Sequence, residues 1–310
     1  MARKLALENT LPFQGLPELV ADNEGLFAAE GLEISWVDRT RTAPSQTDRS
    51  ITDPNMVSSL LGHGSASEKG QASLYNACEW GNYRRSQDNQ IGARQVGRRP
   101  IIAYGALVVP PHSEVYTPQQ LANKIIGVPY HAGTHYLAIQ MLEGFLRPDE
   151  IKTCLAPNGS RLRYDSMLNG EVDATTLTEP YITLAEKAGC RLIVAAFYHG
   201  TEVAAGDVDA ETYAAFNRAM LQAVRLINAD KRKYVQYFID YHRSDPRVAA
   251  LTVDDFNLAR LQVVEPMPIP QAELERTYDW MLKWNLISSQ TEAENLVNAG
   301  VQAAVHPQSR

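Results

Sequence analysis

The amino-acid sequence predicts an α/β protein of two doubly wound lobes with a ligand cleft between them. Three observations lead there. A strand–helix–strand unit opens the chain, strands and helices alternate regularly from about 117 to 197, and the rest is mostly helical. With 310 residues, 45% hydrophobic and 21% charged, the chain has ordinary globular composition and length for two lobes with a substantial core.

The elements follow in order. Lys4 to Glu8 reads as a strand and Asn9 to Gly15 as a loop. A helix is expected from Pro17, which suits a first turn, to Ala29, with Gly25 and Gly31 at its end. Leu32 to Val37 alternates and completes a βαβ unit, which implies parallel strands. Arg39 to Ser50 is polar and reads as a loop over the cleft mouth; Asp53-Pro54 is expected to open a helix reaching about Leu61, ended by Gly62-His63-Gly64. Gln71 to Cys78 is the next strand. Gly81 to Pro100 holds five Arg against one Asp and reads either as a solvated loop or as a basic wall for an anionic ligand. Pro100 to Pro110 is a long apolar strand able to cross between lobes.

The second lobe is the most regular part. Thr117-Pro118 starts a helical turn, with a cap residue followed by proline at the first position. Strands are expected at Ile125–Pro129, Ile151–Ala156, Val172–Leu177 and Arg191–Phe197. Helices are expected at Thr134–Phe145, Arg161–Asn169 and Tyr181–Ala188. Beyond it, Ala210 to Asn228 carries Phe216, Met220, Val224 and Ile227 on one face. Lys231 to His242 continues the helix; shorter ones begin near Asp254 and Gln271, and this region is expected to pack on the first lobe. The expected limits are 1–105 with 200–310 for lobe one and 106–199 for lobe two.

The net charge of −7 argues against nucleic-acid binding, which needs a positive surface for phosphates. The apolar runs, such as Leu192 to Phe197, are too short to insert in a bilayer. Met1 to Asn9 lacks the pattern of a secretory leader, so a cytoplasmic location is expected of the chain as it stands, or a periplasmic or extracellular one if a leader was removed. Cys78, Cys154 and Cys190 are odd in number and widely spaced, unlike a disulfide framework. Neither a nucleotide-binding glycine loop nor a Gly-x-Ser-x-Gly elbow is present.

Four stretches carry a family resemblance. Leu11-Pro12-Phe13-Gln14-Gly15 precedes Ala21 to Glu33, which is similar to an A-x-x-x-G-x-F-x-x-E-G-L-x-V pattern. Tyr116 to Leu121 leads to Gly127-Val128-Pro129, Leu168 to Ala174 is similar to L-x-x-G-x-V-D-A, and Glu179-Pro180-Tyr181 is similar to a W-E-P turn. In combination, over about residues 5–200, they resemble the nitrate/sulfonate/taurine-type solute-binding proteins of ABC importers. That superfamily also holds thiamine-pyrimidine synthases and aromatic-acid decarboxylases. The resemblance implies a type II periplasmic-binding-protein-like fold with a discontinuous first lobe, and an ABC permease as partner where such a chain serves transport. The cysteine-rich motif of the pyrimidine synthases is absent; only Cys78 stands in that region.

Ligands in open α/β sheets bind beyond the carboxyl ends of strands. Those ends supply Asn9, Phe13 and Gln14; Asn76, Cys78, Glu79 and Trp80; His131, Gly133, Thr134 and His135; Glu179 and Tyr181; and His199. The His131–His135 loop opens a helix, whose free N–H groups and dipole suit a carboxylate, sulfonate or phosphate. The two histidines are four apart, but without an intervening Glu and with Gly133 between them they read as hydrogen-bonding groups. No metal and no cofactor is expected. Two functions fit: a binder of a small organic anion, including an aromatic or heterocyclic acid, or an enzyme on the same fold. The enzyme would be a decarboxylase or hydrolase of such an acid, with Cys78 as nucleophile and Glu79 and His135 as acid–base groups.

Overall fold

The computed structural model describes residues 2–39, 44–59, 64–88, 93–288 and 296–306. Two sheets organise them. The first is built from β1 (Arg3–Glu8), β2 (Leu32–Val37), β3 (Leu74–Cys78), β4 (Arg94–Arg98) and β10 (Gly200–Ala204), in the order β2-β1-β3-β10-β4. The second holds β5 (Ile101–Val109), β6 (Ile125–Val128), β7 (Lys152–Leu155), β8 (Ala174–Leu177), β9 (Arg191–Tyr198) and β11 (Gln262–Val263). Its order is β11-β5-β8-β6-β7, with β9 on β5. The βαβ strands pair in parallel, as the alternation predicts. β10 and β5 run antiparallel to their neighbours.

The chain passes between the sheets at two adjacent points. Arg99-Pro100 joins β4 to β5, and His199 joins β9 to β10. The Arg99 N–H donates to the Gly200 carbonyl at 3.0 Å, which ties the two crossings together. The long strand β5 therefore lies wholly in the second sheet; the residues before it make the crossing.

Several first-lobe expectations change. Helix α1 (Pro12–Asn23) begins inside the expected Asn9–Gly15 loop, bends at Gly15, and is followed by the separate turn α2 (Leu26–Ala29). The left-handed φ of 70° at Gly25 is what divides them. Asp53-Pro54 opens only a 3₁₀ turn, Pro54–Met56, with the Asp53 carboxylate capping Asn55 N–H. Val57 to Ser59 do not continue the expected helix; its expected end at Leu61, with Gly62 and His63, lies outside the described residues, and the short helix α3 (Ser65–Glu68) follows Gly64. The stretch Gly81 to Pro100 is not a plain loop: α4 (Glu79–Asp88) and β4 occupy most of it, and residues 89–92 lie outside the description. Polar residues dominate α4 because Arg84 pairs with Asp88 of the same helix while Arg84 and Arg85 also donate to Asn55 and Ser59 of a distant segment, which periodicity does not reveal.

The second-sheet helices follow the sequence closely: α5 (Gly133–Leu142), α6 (Ser160–Leu168) and α7 (Tyr181–Lys187). Helix α8 (Ala210–Ala229) buries Phe216, Met220, Val224 and Ile227. It packs on α1 and α2, where Phe27 and Phe216 stack at 5.7 Å between ring centroids. After α9 (Lys231–Tyr241) and α10 (Pro246–Ala249), α11 (Gln271–Lys283) lies against α4, and α12 (Ala299–Val305) returns to α8 and β4.

One carboxylate pins α11 to the second sheet. Glu143, at the end of α5, accepts from Trp280 Nε1 at 3.0 Å and Trp284 Nε1 at 2.9 Å. Hydrogen bonds to a charged group are worth about 1.5–3 kcal/mol. Glu143→Ala should therefore lower the urea midpoint and red-shift the tryptophan emission at once. An unchanged midpoint would mean the pair contributes nothing.

Candidate functional site

The loops at the carboxyl ends of β3, β6, β7 and β8 converge on one cavity of about 270 Å³ between the sheets. Cys78 ends β3 and faces it, with Arg85 of α4 beside the thiol. Gly133 and Thr134 start α5, and Ser160, Arg161 and Arg163 start α6. Neither helix has a side-chain cap, so first-turn N–H groups of both are available at the cavity. Leu11, Phe13, Gln14, Arg39 and Arg99 close the first-sheet side, and Tyr198, Tyr241 and His242 supply rings.

Local packing explains why small residues stand here. A Cβ on Gly133 would lie 2.9 Å from Tyr198 Cε2 and 3.0 Å from Cys78 Cβ. Only glycine lets the two sheets approach at this point. Arg163 fixes the facing loop by donating to Thr176 O at 2.9 Å, Pro157 O at 2.8 Å and Ser160 Oγ at 3.2 Å. Burial pulls its guanidinium pKa down to about 9. Arg39 pairs with Glu8 at 3.3 Å, and Arg161 with Asp245 at 3.4 Å.

Of the residues singled out in the sequence, Phe13, Gln14, Cys78, Gly133, Thr134, Glu179 and Tyr181 line this cavity. Glu179 accepts from Thr183 N–H at 3.0 Å and pairs with Arg260 at 3.2 Å; burial raises its pKa. The Tyr181 hydroxyl donates to Asp245 at 3.2 Å. Burial likewise holds the Cys78 thiol above its ordinary range, against the lowering field of Arg85.

The others sit elsewhere. Asn9 bonds Asp38 at the strand end, and Asn76 donates to Thr10 Oγ1 at 2.8 Å and Glu18 Oε2 at 2.7 Å beneath the sheet. The helix that starts straight after β3 sends three consecutive side chains in different directions. Cys78 meets the cavity, Glu79 accepts from Thr277 at 2.9 Å, and Trp80 packs among Tyr136, Tyr198 and Trp280. His131 Nε2 reaches the carbonyls of Pro54 and Val57 at 2.8 and 2.9 Å, so it carries the proton and holds that turn. His135 is packed against Tyr130 and Tyr136, and burial drops its pKa to about 3. His199 stands at the crossing, 3.2 Å from Arg98 Nη1, with its pKa lowered to about 4 by burial and the two neighbouring arginines. Among the described residues no three His, Cys, Asp or Glu side chains are grouped as a metal site.

Sequence reasoning missed Arg163 as a lining residue, while Arg39, which opens the stretch read as a loop over the cleft mouth, lines the cavity. Arg85 and Arg99 belong to the basic stretch for which a ligand wall was one of two readings, and they do face the cavity. No helix of the described residues is long and apolar enough to cross a membrane.

Comparison with known proteins gives the fold. No family model matches the chain, and no curated protein matches it. Solved structures match over nearly their whole length. The alkanesulfonate-binding protein SsuA from Xanthomonas axonopodis pv. citri, bound to MOPS, is 15% identical with a TM-score of 0.68, covering 96% of this chain and 97% of that one. A zinc-bound ligand-binding component of an ABC-type import system from Staphylococcus aureus is 12% identical with a TM-score of 0.69, covering 97% and 98%. The desulfurization enzyme DSZB is 14% identical with a TM-score of 0.58, covering 98% and 99%.

Proposed function

We propose that this chain, which has the two-lobed type II periplasmic-binding-protein-like fold, captures a small organic anion in the cavity between its lobes. The lobes in this proposal are residues 1–105 with 200–310, and 106–199. One observation carries the reading: two uncapped helix N-termini and buried arginines face a cavity whose lining carboxylate, Glu179, is already paired with Arg260. Such a site is positive, desolvated and pre-formed, which favours a carboxylate, sulfonate or phosphate group. Phe13, Tyr198 and Tyr241 offer apolar surface to the remainder of the ligand. The adjacent crossings at Arg99 and Gly200 supply a hinge about which the lobes close. Delivery to an ABC permease fits this role, and the site would then work outside the cytoplasmic membrane.

Cys78 at the cavity supports a second reading, an enzyme acting on the bound acid. The acid–base partners that reading assigned, Glu79 and His135, are engaged elsewhere.

Native mass spectrometry of freshly purified protein, followed by incubation with the released compound, separates the two. The binding reading expects the anion back unchanged; a consumed or lighter compound overturns it in favour of catalysis. Iodoacetamide mapping adds a local readout. A bound anion should slow labelling of Cys78 and leave Cys190, at the end of the α7 turn, unaffected. Equal labelling of Cys78 with and without anion would place the ligand elsewhere.

A further inference from the structure

Resting on the anion-binding reading above, we infer that the ligand carries two negative charges, on one dianionic group or on two acidic groups. The argument is charge balance. Arg85, Arg99 and Arg163 are 3%, 1% and 2% exposed and all line the cavity. None of them forms an ion pair with a carboxylate among the described residues. Arg85 Nε donates only to Ser59 O at 3.2 Å, and Arg99 Nε only to Ile101 O at 3.3 Å. Arg163 is satisfied by neutral oxygens alone. Arg85 Nη1 and Arg99 Nη2 are buried without a partner.

The nearby acids do not answer all of this charge. Glu8 is held by Arg39 and by the N–H groups of Gly64 and Ala66. Glu68 is itself pushed up to about 7 by burial. Glu18 and Glu202 lie in the field of Arg99, but burial raises both carboxyls, so near neutral pH they do not cancel that cation. Arg99 instead lies over the Tyr198 ring, its Cζ 5.9 Å from the centroid. Arg85 and Arg163 keep one positive charge each. A buried, uncompensated charge is costly, and a monoanion would leave one of the two in that condition. A dianion leaves neither. The unpartnered Nη1 of Arg85 and the α5 and α6 N–H groups then complete the hydrogen bonding.

The test is calorimetric titration and thermal unfolding at constant ionic strength, with sulfate against nitrate and 4-sulfobenzoate against benzoate. The dianion of each pair should bind at least about tenfold more tightly, the factor that corresponds to one modest charge-assisted contact. Sulfate winning alone points to a single dianionic group; 4-sulfobenzoate winning alone points to two acidic groups. Arg85→Met should level the preference and melt no lower than wild type without anion, because it removes an unpaired buried cation. Nitrate and benzoate both binding as well as their dianions in the wild type, or an undiminished preference in Arg85→Met, would overturn the inference and leave the anion reading standing. Silence toward anions of both charges, in titration and in melting, would remove the anion reading and this inference together.

Discussion

Gly200→Ala is expected to lower the unfolding free energy by about 3 kcal/mol and to weaken anion capture in the same variant. Gly200 pairs with Cys78 across the β10–β3 ladder, at the point where the chain crosses back into the first sheet. A Cβ there would stand 2.5 Å from the Ala77 carbonyl oxygen and 2.3 Å from Arg99 Cζ. The guanidinium can swing aside; a ladder carbonyl cannot. The strain must therefore go into the β3–β10 pairing, and Arg99 must leave its place over the Tyr198 ring, where its Cζ lies 5.9 Å from the centroid. Stability and ligand geometry are tied to the same methyl group. Gly206→Ala is the control, since nothing lies within 4 Å of its added Cβ. Urea unfolding should show the midpoint falling at constant slope for Gly200→Ala and unmoved for Gly206→Ala. Equal midpoints for the two variants would sink the claim that the crossing is packed to contact.

How far a sequence exposes such a site depends on where each residue finds its partners. The alternation from Pro118 to Tyr198 was legible almost element by element, because short strands alternate with helices that end on turn residues such as Gly170 or Gly189, both in left-handed conformation. The loops that hold Gly133, Thr134, Cys78 and Glu179 follow from that alternation and the rule that sites lie at strand ends. Glu79 and Trp80 obey the same rule yet point away from the cavity, since a helix begun within one residue of a strand turns each successive side chain by about 100°; His131, in the loop before α5, is turned instead toward the Pro54 and Val57 carbonyls. Arg163 is the opposite case. On a helix of mixed polarity it reads as an ordinary surface residue, and its three oxygen acceptors come from β8, the preceding loop and its own first turn. Only the fold brings these together. The polar helix α4 was missed for a related reason: its Arg84 and Arg85 bond Asn55, Asp88 and Ser59, and two of those residues lie about 30 positions upstream.

Replacing Glu18 by Gln should remove about one proton's worth of the pH dependence of stability that the wild type shows between about pH 5 and 8. Glu18 of α1 is buried under the first sheet, where its Oε2 accepts from Asn76 at 2.7 Å. Glu202 of β10 lies beside it with both carboxylate oxygens unpartnered. Burial raises both carboxyls, Glu18 to about 8, against the lowering fields of Arg99 and, for Glu18, Arg39. From α8 the Tyr213 hydroxyl faces Glu202 and is itself pushed well up by burial. In the unfolded chain Glu18 titrates near 4.5. Between that value and about 8 the folded state holds the proton and the unfolded state does not. Stability is thus fully present below the unfolded value and is lost as pH rises through the folded one. The slope is about 1.4 kcal/mol per pH unit for one proton. Gln keeps an oxygen to accept from Asn76 and has no proton to lose. The difference in unfolding free energy between Glu18→Gln and wild type should therefore widen steadily up to about pH 8 and then level off. A difference that stays constant across that range would mean the buried carboxyl is ionised throughout, and the field of Arg99 would then be spent on it at every pH.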